Sequence, residues 1–217
     1  MPLLILLRHG QSTWNLENRF TGSTDIDLSP LGRNEAATAG IRLKPFPIDL
    51  IFTSMLKRAI HTADIVLAEL AKKTPIIQNS ALNERNYGDL QGLNKADTIE
   101  KYGEKQVQLW RRSFETAPPN GESLKDTFDR VIPFYKEKIE PELKAKNILI
   151  IAHGNSLRAL IMYLENISST GISNFTIATG IPRVYEFDKK LKLQKVHYIE
   201  NNGEIIDGNN KLQENNE

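Results

Sequence analysis

Hydrophobic positions along the chain come in short unbroken runs, and polarity returns abruptly after each. Leu3-Leu4-Ile5-Leu6-Leu7 is the first run, and it stops at Arg8-His9-Gly10. Ile148-Leu149-Ile150-Ile151-Ala152 is the clearest second one, and it also stops at a histidine and a glycine, His153-Gly154. A continuous apolar run bounded by turn residues reads as a strand covered on both faces, as in a parallel sheet. Leu50-Ile51-Phe52 makes a further strand, and Ile76-Ile77 a weaker one. Between the runs, apolar residues take a helical spacing. Ser29-Pro30 reads as an N-cap and first helical residue, opening a helix whose buried side is expected to be Leu31, Ala36, Ala39 and Leu43. Helices are also expected at about 55–71, 95–114 and 155–165. Another runs from Ser123 to about 143, with Phe128, Val131, Phe134 and Tyr135 on its apolar side. Arg183–Phe187 and Leu193–Ile199 read as an antiparallel hairpin at a sheet edge. Strands alternating with helices predict one α/β domain over residues 1–200, with a mainly parallel central sheet, helices on both faces and an antiparallel edge strand. Residues 201–217 are polar, carry six asparagines and read as a mobile tail in which Ile205-Ile206 is available to dock.

Open parallel sheets bind ligands just beyond the carboxyl ends of their strands. If the two histidine-terminated strands are neighbours, His9 and His153 share one cleft, with His9 at its mouth and Arg8 beside it. Gly10 allows a tight turn and a close ligand approach. Arg58, near the start of the helix after Phe52, joins the pair. The helix after Gly154 adds an amide-lined positive end. An imidazole is a nucleophile near neutral pH, and a guanidinium grips a phosphate with two parallel bonds. Taken alone, Arg8-His9-Gly10 is balanced between that reading and a strand-end histidine that merely satisfies a hydrogen bond. Two imidazoles, two guanidiniums and no carboxylate cluster together suit a phosphoryl group held by cations, with histidine as its acceptor.

Charge and composition narrow the choice. The formal net charge is only +1, from 28 basic and 27 acidic side chains, so any anion site is local and no nucleic-acid partner is expected. The absence of cysteine excludes thiol catalysis, disulfides and cysteine-bound zinc, and fits a reducing compartment. No metal-ligand spacing or glycine-rich nucleotide loop is present, so no metal is expected. The apolar start is too short for a signal peptide and no run is long enough to cross a membrane, which makes a cytoplasmic location the expectation.

Longer blocks carry a resemblance. Arg8-His9-Gly10-Gln11-Ser12-Thr13-Trp14-Asn15, Thr21-Gly22, Ser54-Met55-Leu56-Lys57-Arg58-Ala59, Glu84-Arg85-Asn86-Tyr87-Gly88, Leu90-Gln91-Gly92-Leu93-Asn94-Lys95, Trp110-Arg111-Arg112 and Ala152-His153-Gly154-Asn155-Ser156-Leu157-Arg158 are similar to the motifs of the cofactor-dependent phosphoglycerate mutases. These belong to the histidine phosphatase superfamily, and the resemblance runs from about residue 3 to 187. It implies interconversion of 3-phosphoglycerate and 2-phosphoglycerate, with 2,3-bisphosphoglycerate as primer and intermediate. By the same resemblance His9 is the phosphohistidine nucleophile, Arg8, Arg58 and His153 hold phosphoryl oxygens, and Glu84 is the general acid–base. Asn15, Gly154 and Asn155 add neutral donors. Tyr87, Lys95, Arg111 and Arg112 grip the substrate carboxylate and second phosphate. Gly10, Gln11, Ser12, Thr13, Trp14, Thr21, Gly22, Arg85 and Asn86 complete the substrate-binding set.

Plainer readings stand beside these roles. Glu84 could pair with Arg85 on a surface loop, and Arg111-Arg112 could be a solvated helix face. His61 and His197 lie outside the motifs. Residues 154–158 superficially resemble a hydrolase nucleophile elbow, but Arg158 replaces its last glycine, so Ser156 reads as a helix-start residue. The rival activity is a phosphohistidine-dependent phosphatase of small phosphorylated metabolites, in which water resolves the phosphoenzyme. The chain departs from many mutases between Arg112 and Glu122, where only nine residues stand in place of a longer insertion. In longer relatives that segment contributes to the cleft rim and subunit contacts, so a homodimer is left open.

Overall fold

Seven strands form one sheet in the computed structural model, which describes residues 1–199 and 205–207. They are β1 (Leu3–Arg8), β2 (Leu50–Thr53), β3 (Ile76–Gln78), β4 (Ile148–Ala152), β5 (Arg183–Phe187), β6 (Leu193–Ile199) and β7 (Ile205–Asp207), in the order β3-β2-β4-β1-β5-β6-β7. The β3-β2-β4-β1 half is parallel throughout, and β5, β6 and β7 continue it antiparallel. The antiparallel side is therefore three strands wide, the expected hairpin plus β7. Ile205 and Ile206 dock as β7, so the hairpin is not the outermost pair. The rest of the expected tail lies outside the described residues.

The unbroken apolar runs are explained by covering on both faces. Leu4 and Leu6 of β1 face one core with Ile148, Ile150 and Ala152, while Ile5 and Leu7 face the other with Leu149 and Ile151. α2 (Pro30–Leu43) and α3 (Lys57–Leu70) cover the second face; α6 (Leu124–Phe134) and α7 (Gly154–Leu164) cover the first. Ser29 caps α2 as expected, but Leu31 is 52% exposed. The inward stripe is Gly32, Ala36, Ala39, Gly40 and Leu43, and Leu31 lies about 100° round the helix from Gly32. That stripe is small because backbone packs on backbone here. A Cβ on Gly10 would lie 2.1 Å from the Gly32 carbonyl oxygen, and one on Gly32 would lie 2.0 Å from that of Gln11.

Two expected helices are subdivided. Residues 95–114 form α4 (Lys95–Tyr102) and α5 (Glu104–Arg112), separated by Gly103 at φ +80°. The helix from Ser123 carries Pro133, which removes one helical donor, and it passes into a single π turn over Tyr135–Ile139. Two short helices, α1 (Thr13–Leu16) and α8 (Gly171–Asn174), were not anticipated. Among the described residues no helix is long and apolar enough to cross a membrane.

Candidate active site

β1 and β4 are parallel neighbours, with Arg8 opposite Ala152, so both chains leave the sheet at the same level. This brings the His9 and His153 rings to 4.9 Å between centroids, tilted by 58°. His9 is only 3% exposed, so it is buried beneath the cleft rather than standing at its mouth. The Gly10 carbonyl accepts a 2.6 Å hydrogen bond from His9 Nδ1. A carbonyl can only accept, so Nδ1 carries the proton and Nε2 keeps its lone pair. Burial, and then the guanidiniums of Arg58 and Arg8, hold His9 well below the usual imidazole range. At neutral pH the ring is uncharged. Gly10 is required for packing against Gly32.

His153 is fully buried and bonds Ser54 Oγ through Nε2 at 2.7 Å. Burial, Arg58 and His9 hold it well below its ordinary value as well. Arg58, 1% exposed, reaches from α3 to the carbonyls of Thr24 and Gly22, at 2.8 and 2.7 Å. Burial lowers its pKa to about 10, which leaves it charged. Arg8 fixes itself by donating to the Ile177 carbonyl at 2.7 Å. Glu84 meets this cluster from the 81–92 loop. Its Oε1 accepts from the backbone N–H groups of Arg85 and Asn155, at 2.9 and 3.0 Å. Glu84 is thus held at the positive end of α7 rather than paired with the Arg85 side chain.

A cavity opens beside this cluster. Arg8, Asn15, Thr21, Gly22, Glu84, Tyr87, Lys95, Arg111, Arg112, Gly154 and Asn155 of the expected set line it, whereas the buried His9, Arg58 and His153 lie behind that lining. Arg111 and Arg112 end α5 against the cavity, not on a solvated face. Lys95 is lowered by burial and by neighbouring Arg111. Burial alone would push the Tyr87 phenol up, but the Arg85 guanidinium, 4.5 Å from its ring centroid, outweighs this and holds it down.

Other expected residues serve the walls without lining the cavity. Arg85 is fully buried and donates to the Trp110 and Arg111 carbonyls at 2.9 and 3.1 Å. It caps the carboxyl end of α5, and so sets where Arg111 and Arg112 stand. Asn86 accepts from Gly88 N–H and shapes the turn. Ser12 is the N-cap of α1 and holds Asn15 in a capping box. Thr13 N–H bonds the Asp27 carbonyl. Gln11 is tied to α2 through Ser29 and Glu35. Trp14 is the platform on which Arg19 stacks, at 4.7 Å.

Arg19, Phe20, Arg158, Phe175, Thr176 and Ile177 also line the cavity and were missed in the sequence. Arg158 donates to Asn155 Oδ1 and to the Ile172 carbonyl, at 3.0 and 2.6 Å. Its place in the run after His153 was the available signal; nothing local marked residues 175–177. His61 pairs with Asp27 at 2.6 Å and His197 lies on β6, both outside the cavity. Ser156 Oγ accepts from His153 N–H, as a helix-start residue does.

Around the cavity, Arg8 Nε, Arg58 Nε, Arg158 Nε, His153 Nδ1 and Thr21 Oγ1 are buried without a hydrogen-bond partner among the described residues. Each such orphan costs roughly 1–3 kcal/mol until an acceptor arrives. A set dominated by cationic donors fits phosphoryl oxygens, and therefore fits a phosphorylated small molecule.

Comparison with known proteins agrees with this chemistry. The model of the histidine phosphatase superfamily (branch 1) matches residues 4–198. A 2,3-bisphosphoglycerate-dependent phosphoglycerate mutase of Cytophaga hutchinsonii is 60% identical over 200 residues, covering 92% of this chain and 94% of that protein. The Bartonella bacilliformis protein of the same name is 53% identical, covering 85% of this chain and 92% of its own. Among solved structures, a mycobacterial glucosyl-3-phosphoglycerate phosphatase complexed with VO3 superposes with a TM-score of 0.79 at 26% identity, covering 94% of this chain and all of that one.

Proposed function

The chain belongs to the histidine phosphatase superfamily, and on that premise we propose that it interconverts 3-phosphoglycerate and 2-phosphoglycerate, a step of glycolysis and gluconeogenesis. A cytoplasmic location accompanies this reading. The observation that carries it is one cavity lined by two sets of cations: Arg8, next to His9 in the chain, and Lys95, Arg111 and Arg112 from α4 and α5. A phosphoglycerate has two anionic groups to match them. A phosphatase needs only the first set, and the fold alone admits either activity.

His9 Nε2 attacks phosphorus as the bond from phosphorus to the substrate oxygen breaks. Arg8, Arg58 and His153 offer donors to the three phosphoryl oxygens, whose charge grows in the transition state. Glu84 gives its proton to the departing oxygen. In the reverse direction Glu84 takes the proton from the attacking hydroxyl as His9 gives the phosphoryl group back, so protons balance over a cycle. Lys95, Arg111 and Arg112 hold the far end of the molecule while it turns over. 2,3-Bisphosphoglycerate, when bound, supplies the phosphoryl group that charges His9, and the orphan donors around the cavity fit it.

The test is to incubate the protein with phosphorus-labelled 2,3-bisphosphoglycerate and map the label. Acid-labile label on His9, lost in His9→Ala, is expected. Stable label on His153 would reverse the assignment.

A further inference from the structure

Nothing in the reaction accounts for Arg130, yet its contacts converge on the backbone that presents Glu84. The 81–86 segment has little regular structure, only one short 3-10 turn at Ser80–Leu82. From α6, Arg130 Nη1 donates to the Ala81 carbonyl at 2.7 Å, and Nη2 to the carbonyls of Asn83 and Glu84 at 3.0 and 3.3 Å. Its other edge pairs with Glu122, Nε to Oε1 at 3.2 Å and Nη2 to Oε2 at 3.1 Å. Glu122 then holds the far side of the same segment: its Oε2 accepts from Asn86 N–H at 2.9 Å, and its N–H donates to the Asn86 carbonyl at 2.8 Å. The short connection after Arg112 makes this possible. It returns directly to the loop, where Asp89 N–H bonds the Pro119 carbonyl at 3.0 Å.

We propose that Arg130, backed by Glu122, is a positioning residue that fixes the Glu84 carboxylate for proton transfer by clamping the main chain on both sides of it. A planar fork suits this task, because one rigid group reaches three carbonyls and a carboxylate at once. A lysine would keep the charge but lose the fork. Misplacement of a reacting group by about 1 Å can cost about 10²-fold in rate. Arg130 does not line the cavity, so any effect on the reaction comes without contact with the substrate.

The proposal rests on Glu84 being the acid–base, and a double-mutant cycle separates the two claims. Arg130→Lys, Arg130→Ala and Glu122→Gln are measured in the wild-type and Glu84→Gln backgrounds for kcat and KM of phosphoglycerate interconversion. Amide exchange at Arg85 and Asn155, whose N–H groups hold Glu84 Oε1, is read in parallel without any ligand. In the wild-type background Arg130→Lys is expected to lower kcat roughly 10- to 100-fold with KM little changed, and to speed exchange at both amides. In the Glu84→Gln background it is expected to cost less than about 3-fold, because the group it positions is already gone. Equal losses in both backgrounds, or unchanged kcat with only a lower unfolding midpoint, would make Arg130 a stability residue and overturn the proposal. If Glu84→Gln alone keeps wild-type kcat, the acid–base reading fails first. If the Arg130 variants do not fold, Glu122→Gln, which keeps one acceptor for Asn86 N–H, must show the same background dependence or the clamp is rejected.

Discussion

At the scale of single residues, the site divides into groups that react and groups that hold. His9 has one nitrogen committed to Gly10 and the other free, which is the state a nucleophile requires. Glu84 is held through two backbone amides, so Glu84→Gln keeps the shape while removing the proton. The expected cost is about 10²–10⁴-fold in kcat with KM nearly unchanged, read by steady-state kinetics. A raised KM at constant kcat would make Glu84 a binding group. Arg111 and Arg112 should behave the other way. A hydrogen bond to a charged group is worth roughly 1.5–3 kcal/mol, so each grip lost should weaken phosphoglycerate binding about ten- to a hundredfold. The double change Arg111→Ala/Arg112→Ala should therefore lose mutase turnover faster than it loses slow phosphate release, both assayed on one preparation. The residues proposed to react stood out in the sequence because they follow two conspicuous apolar runs or lie in dense motifs. Arg158 stood in the run after His153 without a role, and Arg19 in none of the motifs, because where a long side chain ends is set by the fold and not by its neighbours in sequence. Arg85 was placed in the right neighbourhood with the wrong task, since only the fold shows that it ends against the carbonyls of α5.

At the scale of elements, the cleft depends on how closely α2 meets the turn after β1. Gly10 and Gly32 touch through their backbones, and neither has space for a Cβ. Gly10→Ala must push α2 away or move His9, whose proton partner is the Gly10 carbonyl. Overpacking of this kind costs about 1–3 kcal/mol, so urea unfolding should show a loss in that range together with a falling kcat. Normal stability and activity in Gly10→Ala would contradict the backbone contact. The strands were readable because two-sided burial writes itself as continuous apolar sequence. The helix errors have equally local causes. Leu31 was counted inward from its hydrophobicity, although the small residues around it form the packed stripe. Gly103 and Pro133 interrupted patterns that otherwise kept a helical period.

At the scale of the whole molecule, a nearly neutral chain gathers six of its 28 basic side chains around one cavity, and folding buries imidazoles as well. His9, His153 and His197 all sit below their ordinary pKa, chiefly through burial. For each, the unfolded chain binds the proton more readily than the folded one. Their contribution is therefore fully present above about pH 6.5 and is lost as pH falls below it, with a slope of up to about 1.4 kcal/mol per pH unit for each proton. Asp27 and Asp126, held below the usual carboxylate range, add loss of the same sign only below about pH 4. Urea unfolding at pH 7.5, 6.5 and 5.5 should show stability falling across the last step, less steeply in His9→Ala. A flat profile would mean that the histidines are not buried neutral. The parallel sheet, its covering and the antiparallel hairpin were foreseeable from the apolar runs and their alternation with helices, whereas the pairing of β7 outside that hairpin was not, since β7 is three residues long. On the proposed reading, the cavity cations favour phosphoryl transfer between positions of one molecule over transfer to water. The direct measurement supplies 3-phosphoglycerate with and without 2,3-bisphosphoglycerate and follows 2-phosphoglycerate and free phosphate together. Rapid formation of 2-phosphoglycerate that depends on the bisphosphate, with phosphate release slower by orders of magnitude, is the expected result; phosphate released as fast as substrate is consumed would contradict it.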